Sequence, residues 1–215
     1  MTLEARAEKP SSIAAPKATR SIDALRFVTP ATLAGIIVVL IAAGMVYISL
    51  ESAPGIIGLL GAALAMVMLA IAISDWRNFT IPDWLSLAGA GLALLHAAAQ
   101  EPGAMVQGVA LAALRGLVLA SIFLALRYGY ARYRGRQGLG LGDVKLAFVA
   151  GAWLDWLILP LAIQVAVFAA LTGYLVRHFA SNQKLSAVSR MPFGLFFAPA
   201  IWLSWLFEVR GAGWF

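Results

Sequence analysis

Two aspartates in this chain stand where a carboxylate is costly. Asp143 lies in GLGLGDVKLAFVAG, Gly138 to Gly151, between three glycines (Gly138, Gly140, Gly142) and a long apolar run. Asp75 ends a second apolar run in AISDWRNFTIPDW. An ionisable group at the head of a membrane span carries a free-energy cost that points to a use. A pair of carboxylates at one membrane edge is suited to acid-base hydrolysis without a covalent intermediate. The two share a proton, the ionised one activates water, and the protonated one polarises the carbonyl under attack. Such a pair titrates as a unit, so residue types alone do not assign the base.

The elements that must position these groups follow from composition. The 215 residues are 62% hydrophobic and only 12% charged, with a mean hydropathy of +0.87. That is the composition of a polytopic membrane protein. Apolar runs near the ~20 residues that cross a bilayer occur at Ala31–Leu50, Gly55–Ser74, Trp84–Ala99, Ala104–Leu126, Leu141–Leu154, Trp156–Val176 and Pro192–Phe207. The expected fold is therefore all-α, a transmembrane helical bundle of about seven spans, or six if two of them merge. The third and fifth runs are short and must extend into their flanks or lie in thinned lipid. Residues 1–29, rich in Ala, Pro, Ser and charge, read as a disordered tail before an uncleaved anchor. Residues 30–215 read as one membrane-embedded domain.

Charge placement orients the bundle. Of 16 Lys and Arg residues, 13 fall in the N-terminal tail and in alternate loops: Arg6, Lys9, Lys17, Arg20 and Arg26, then Arg77, then Arg127, Arg132, Arg134 and Arg136, then Arg177, Lys184 and Arg190. The intervening loops carry Glu51, Glu101 and Asp155. The positive-inside rule places the N-terminus in the cytoplasm and the C-terminus outside. Asp75 then ends an inward-going span and Asp143 begins an outward-going one, so both lie at the cytoplasmic edge. The net charge of +6 is explained by topology and anionic lipid, and no nucleic-acid partner is expected, although RYGYARYRGRQ interleaves Arg with Tyr.

Other residues have more ordinary readings. Pro82 breaks the chain between the second and third spans, and Asp83 is expected to cap the third. Arg115, deep in the fourth run, is expected to pair structurally with an acid or a carbonyl. His96 reads as an interfacial donor; with His178 on the other side of the membrane and no cysteine in the chain, no metal site and no cofactor are expected. The glycines before Asp143 permit either an unusual backbone conformation or a close approach. A phosphate cradle there is disfavoured by the acid itself. Lys145 either snorkels to the interface or compensates Asp143. Small residues spread through the spans suit close helix packing.

Taken together, Asp75 before Ile81–Pro82, then GLGDVKL with Gly140, Gly142, Asp143 and Lys145, then MPFG from Met191 through Pro192 to Gly194, resemble the type IV prepilin leader peptidases. These are GxGD-type aspartyl proteases of the bacterial inner membrane. The resemblance implies that Asp75 and Asp143 are the catalytic pair and that prepilins or pseudopilins, with a basic leader ahead of an apolar helix, are the substrates. It runs from about Gly55 to the last span. Two positions depart from it: Asp83 stands where many members have Asn, and Leu195 where many have Pro after PFG. Long members also carry paired CxxC motifs in an insert linked to N-methylation. Their absence makes this chain similar to the compact, tight-adherence (Flp) peptidases and argues against methyl transfer. The competing readings are an ion- or proton-coupled transporter using the same aspartates and a silent scaffold. Oligomeric state is not legible.

Overall fold

The computed structural model describes residues 30–100, 102–135, 138–181 and 192–211. The N-terminal tail, Arg136, Lys184, Arg190 and Met191 lie outside the described residues. Seven α-helices account for most of the rest: α1 (Pro30–Ser52), α2 (Gly55–Asn78), α3 (Asp83–Gln100), α4 (Met105–Arg134), α5 (Leu141–Trp153), α6 (Leu159–Ser181) and α7 (Gly194–Gly211), with a single 3₁₀ turn at Pro102–Ala104. Each expected apolar run corresponds to one helix. Among the described residues no strand occurs. Four of the helices, α1, α2, α4 and α6, are long and apolar enough to cross a membrane, and the chain is a multi-pass membrane protein. α3 spans 18 residues and α5 only 13, as the short runs in the sequence foretell.

The chain divides into residues 1–40 and residues 41–215. The described part of the first is the opening half of α1, whose Leu33, Ile36, Ile37 and Val39 are exposed, as suits a helix in lipid. The second holds everything else. Within it α5 is the central post, packing on α3, α4 and α7, while α2 packs on α3 and α7. The last eight residues of α5, Leu146 to Trp153, are buried apart from Phe148. α5 can lie so deep because Gly151 lets it meet α4 backbone to backbone: a Cβ there would stand 2.6 Å from the Arg115 carbonyl oxygen. This is the small-residue packing expected of membrane helices. The C-terminal half of α1 is tied to α7, with Trp202 Nε1 donating to Ser49 Oγ at 2.9 Å and Arg210 Nε to Ser52 Oγ at 3.0 Å.

Three boundaries differ from the sequence expectation. RYGYARYR is the end of α4 and not a loop, because nothing in it breaks a helix until Gly135 adopts a left-handed φ of 67°. α6 opens at Leu159, three residues after Trp156, since the carbonyl of Asp155 accepts from Ile158 and Leu159 and holds that segment in a turn. α7 opens at Gly194, with the Phe193 carbonyl accepting its first bonds from Phe196 and Phe197. Pro192 therefore precedes the helix and is not part of its first turn.

Candidate active site

Asp75 lies in the last turn of α2, which runs on to Asn78, and it is 6% exposed. The helix ends without a glycine. Phe79 takes the left-handed conformation instead, φ 52° and ψ 31°, and returns its N–H to the Asp75 carbonyl at 2.9 Å. A bulky residue held there costs about 1–3 kcal/mol, and the strain turns the chain sharply into Ile81–Pro82. Ser74 Oγ donates to the Thr80 carbonyl at 3.0 Å and pins the same turn.

The Asp75 carboxylate meets the start of α7. Its Oδ2 accepts from the backbone N–H of Leu195 at 3.0 Å, and the Gly194 amide also points to it. The first amides of a helix have no partner within the helix and attract an anion. This answers what Pro192, Phe193 and Gly194 do: they deliver a helix N-terminus to a carboxylate 120 positions away in the chain. Gly194 must be glycine for this approach, because a Cβ would stand 2.9 Å from both Asp75 Oδ2 and Ile81 Cδ1.

Asp143 occupies the first turn of α5, and its Oδ2 accepts from the Gly140 N–H at 3.1 Å. This is half of a capping box, the glycine having no side chain to return the bond. Of the two uses open to the glycines, the structure selects close approach. Gly140 is extended, at φ −72° and ψ 153°, whereas a Cβ on Gly142 would lie 3.0 Å from Ile81 Cβ. Ile81, 9% exposed, thus packs against Gly142 on one side and Gly194 on the other. It joins the segments that carry the two acids, and Asp143 lies within electrostatic reach of Asp75.

Two basic residues serve this end of the bundle in ways their sequence positions do not reveal. Arg127, one of a run of basic residues at the end of α4, donates to the Leu139 carbonyl and adds its charge to the field at Asp143. It holds the GLG approach in place. Lys145 does not turn to Asp143; it pairs with the exposed Asp83 at 2.5 Å, joining the starts of α3 and α5. Asp83 is the first residue of α3 and not its cap, because the Pro82 carbonyl accepts the first helical bonds from Leu85 and Ser86.

The opposite ends of α3, α5 and α7 hold a second polar group. Arg115 donates to the Gly151 carbonyl at 3.3 Å and faces Asp155 at 3.5 Å, the structural pairing expected of it. His96 is not interfacial: it is 1% exposed, stacked on Trp153 with centroids 4.3 Å apart, and edge-on to Trp205. Glu208 also feels the charges of Arg115 and Asp155. Asp75 and Asp143 have no part in this group.

Residues 62–175, more than half of the chain and including both aspartates, match the type IV leader peptidase family. The chain belongs to the type IV leader peptidase family. It is 33% identical over 162 residues to a prepilin leader peptidase/N-methyltransferase of Dickeya chrysanthemi, covering 75% of this chain and 54% of that protein. The corresponding Aeromonas hydrophila protein is 29% identical over 79% of this chain and 57% of its own length. Leader peptidase HopD of Escherichia coli is 39% identical over 82 residues, which is 36% of this chain and half of HopD. The chain spans about half the length of the curated relatives it matches. No solved structure matches it. None of these relatives is a transporter, and that reading has no support.

Proposed function

We propose that this leader peptidase family member is a membrane aspartyl endopeptidase that removes the leader from prepilins or pseudopilins at the cytoplasmic face of the bacterial inner membrane, with Asp75 and Asp143 as its catalytic pair. The observation that carries the reading is that Ile81 packs on Gly142, which precedes Asp143, and on Gly194, which touches Asp75, with the two acids within electrostatic reach of each other. Neighbouring carboxylates do not both ionise readily, so the pair holds one proton between them. The ionised partner takes a proton from water as it attacks the scissile carbonyl, and the other donates to the developing oxyanion. As the C–N bond breaks, the first carboxyl gives that proton to the leaving amine and the second takes one back from a hydroxyl of the tetrahedral intermediate, which restores the pair.

Gly140, Gly142, Pro192 and Gly194 support the pair by allowing backbone to approach it, Pro82 by starting α3 behind Ile81, and Lys145 by tying α5 to Asp83. Residues 30–215 form the membrane-embedded peptidase domain, with seven spans and the N-terminus in the cytoplasm, the orientation given by the 13 basic residues of the tail and alternate loops. The reaction needs no cofactor. Relatives named for peptidase and N-methyltransferase are matched over about half their length, and this chain, without cysteine, is read as a peptidase that leaves a free amino terminus.

The test is cleavage of a co-expressed prepilin, read as a mobility shift, with the membrane level of each variant measured in parallel. Asp75→Asn and Asp143→Asn should each lose ~10² to 10⁴ in rate, and the double variant little more, because one missing partner disables the unit. Full cleavage by either well-expressed variant would refute the mechanism.

A further inference from the structure

α4 and α6 do not pack on each other among the described residues. Between them lies an apolar cavity of about 660 Å³, walled by Leu119 and Phe123 of α4 and by Ile163 and Val167 of α6, and lined also by Leu139 and Phe193. It adjoins a second cavity of about 560 Å³ running along the same face of α4 past Ala125 and Gly129 to Tyr133, with Ile122, Leu126 and Tyr130 common to both. From Leu119 to Tyr133 the trough is ~20 Å long at the helical rise of 1.5 Å per residue. No charged side chain lines it.

Leu139 and Phe193 connect the cavity to the two acids. Leu139 receives the Arg127 hydrogen bond and stands just before Gly140, whose N–H holds Asp143. Phe193 stands just before Gly194, which touches Asp75. An occupant of the trough thus meets residues that adjoin both acids. A peptidase substrate is a polypeptide, and a polypeptide in an apolar trough at membrane depth must satisfy its own backbone hydrogen bonds, which a helix does. The small residues Ala125 and Gly129, open to the trough, allow a helix to come close.

We infer that the α4–α6 trough seats the apolar helical segment of the substrate, docked from the bilayer so that its end projects between Leu139 and Phe193 onto Asp75 and Asp143. This rests on the peptidase reading above. The part of the trough at membrane depth, Leu119 to Leu126, seats about two turns of helix, and it selects substrates by the apolar segment beside the cut as well as by the cut site itself.

The test places a photoreactive benzoylphenylalanine at Ile122 or Val167, and as a control at Leu87 on α3, in full-length Asp143→Asn protein in membranes with a co-expressed prepilin. Crosslinks from Ile122 and Val167 to the apolar segment of the prepilin, and none from Leu87, are expected. Crosslinks to phospholipid alone, or equal yields from all three sites, would overturn the assignment. In the otherwise native protein, Ala125→Trp fills the open trough without disturbing the core. It should raise KM for the membrane-anchored prepilin about tenfold and leave cleavage of a short soluble peptide spanning the cut site unchanged. Equal effects on both substrates would count against the trough. If the native protein cuts neither substrate, the peptidase reading fails and the occupant with it, whereas cutting without trough crosslinks removes the trough alone.

Discussion

The backbone N–H of Leu195 donates to Asp75 Oδ2 at 3.0 Å, joining the first turn of α7 to the last turn of α2. In the resemblance drawn from the sequence, this is a position where many members have proline, which has no N–H to give. A proline is tolerated in the first turn of a helix, where amides lack helical partners. Leu195→Pro should therefore fold, while Asp75 keeps only the Gly194 amide. A hydrogen bond to a charged group contributes about 1.5–3 kcal/mol, so a loss of roughly tenfold or more in kcat is expected at an unchanged protein level. Unaltered kcat would show that this bond does not orient Asp75.

Gly194→Ala is the sharper substitution at the same junction. The new Cβ would stand 2.9 Å from Asp75 Oδ2 and from Ile81 Cδ1, so the carboxylate or α7 must move. A displacement near 1 Å at a reacting group costs about 10² in rate, and that loss is expected in the prepilin assay. Gly91→Ala is the control: its Cβ meets nothing within 4 Å, and alanine is the better helix former. Its activity should match the native protein. Equal activities of the two variants would remove the close-approach argument.

The helices and both acids were legible in the sequence because burial in lipid and the cost of a charge at a membrane edge are read residue by residue. Ile81–Pro82 and the glycines before Asp143 were legible as a break and as room for approach. What they approach was not. The Ile81 contacts with Gly142 and Gly194 and the Leu195 amide on Asp75 join segments far apart in the chain, and no local pattern encodes such a meeting. The Lys145–Asp83 pair was missed for the same reason, each having a nearer explanation: an interface for the lysine and a helix cap for the aspartate. The extension of α4 was obscured by its charge, since RYGYARYR satisfies the positive-inside pattern as well as it continues a helix. His96 illustrates the converse. Its place near the end of a run suggests water, yet Trp153 and Trp205 enclose it.

Topology is tested independently of activity. A reporter fused after Arg136 or Lys184 should be cytoplasmic, and one fused after Glu101 or at the C-terminus should be outside, if the basic residues orient the bundle. The expected readout is alkaline phosphatase activity only from the latter pair. Arg136 and Glu101 fusions on one side would place α4 outside the set of spans and take from the proposed pair its common membrane edge.

Arg127 separates charge from geometry at the approach to Asp143. Its guanidinium donates to the carbonyl of Leu139, the middle residue of the GLG segment from Gly138 to Gly140, and its charge reaches Asp143. Lysine preserves the charge but replaces a rigid planar fork with a single flexible ammonium; methionine keeps much of the apolar stem and removes both charge and donor. If the hydrogen bond is what matters, Arg127→Lys and Arg127→Met should lose kcat to a similar degree, roughly 10-fold to 100-fold, since both free the segment that positions Gly140 and Asp143. If the charge is what matters, Arg127→Lys should remain close to native and only Arg127→Met should fall. The structure favours the first outcome, because the donor is held on a backbone carbonyl rather than on the carboxylate. In both variants KM for the prepilin should change less than kcat, as Arg127 does not line the trough. The measurement is single-turnover cleavage in membranes, with variant levels matched. Native kcat in Arg127→Met would overturn the positioning role.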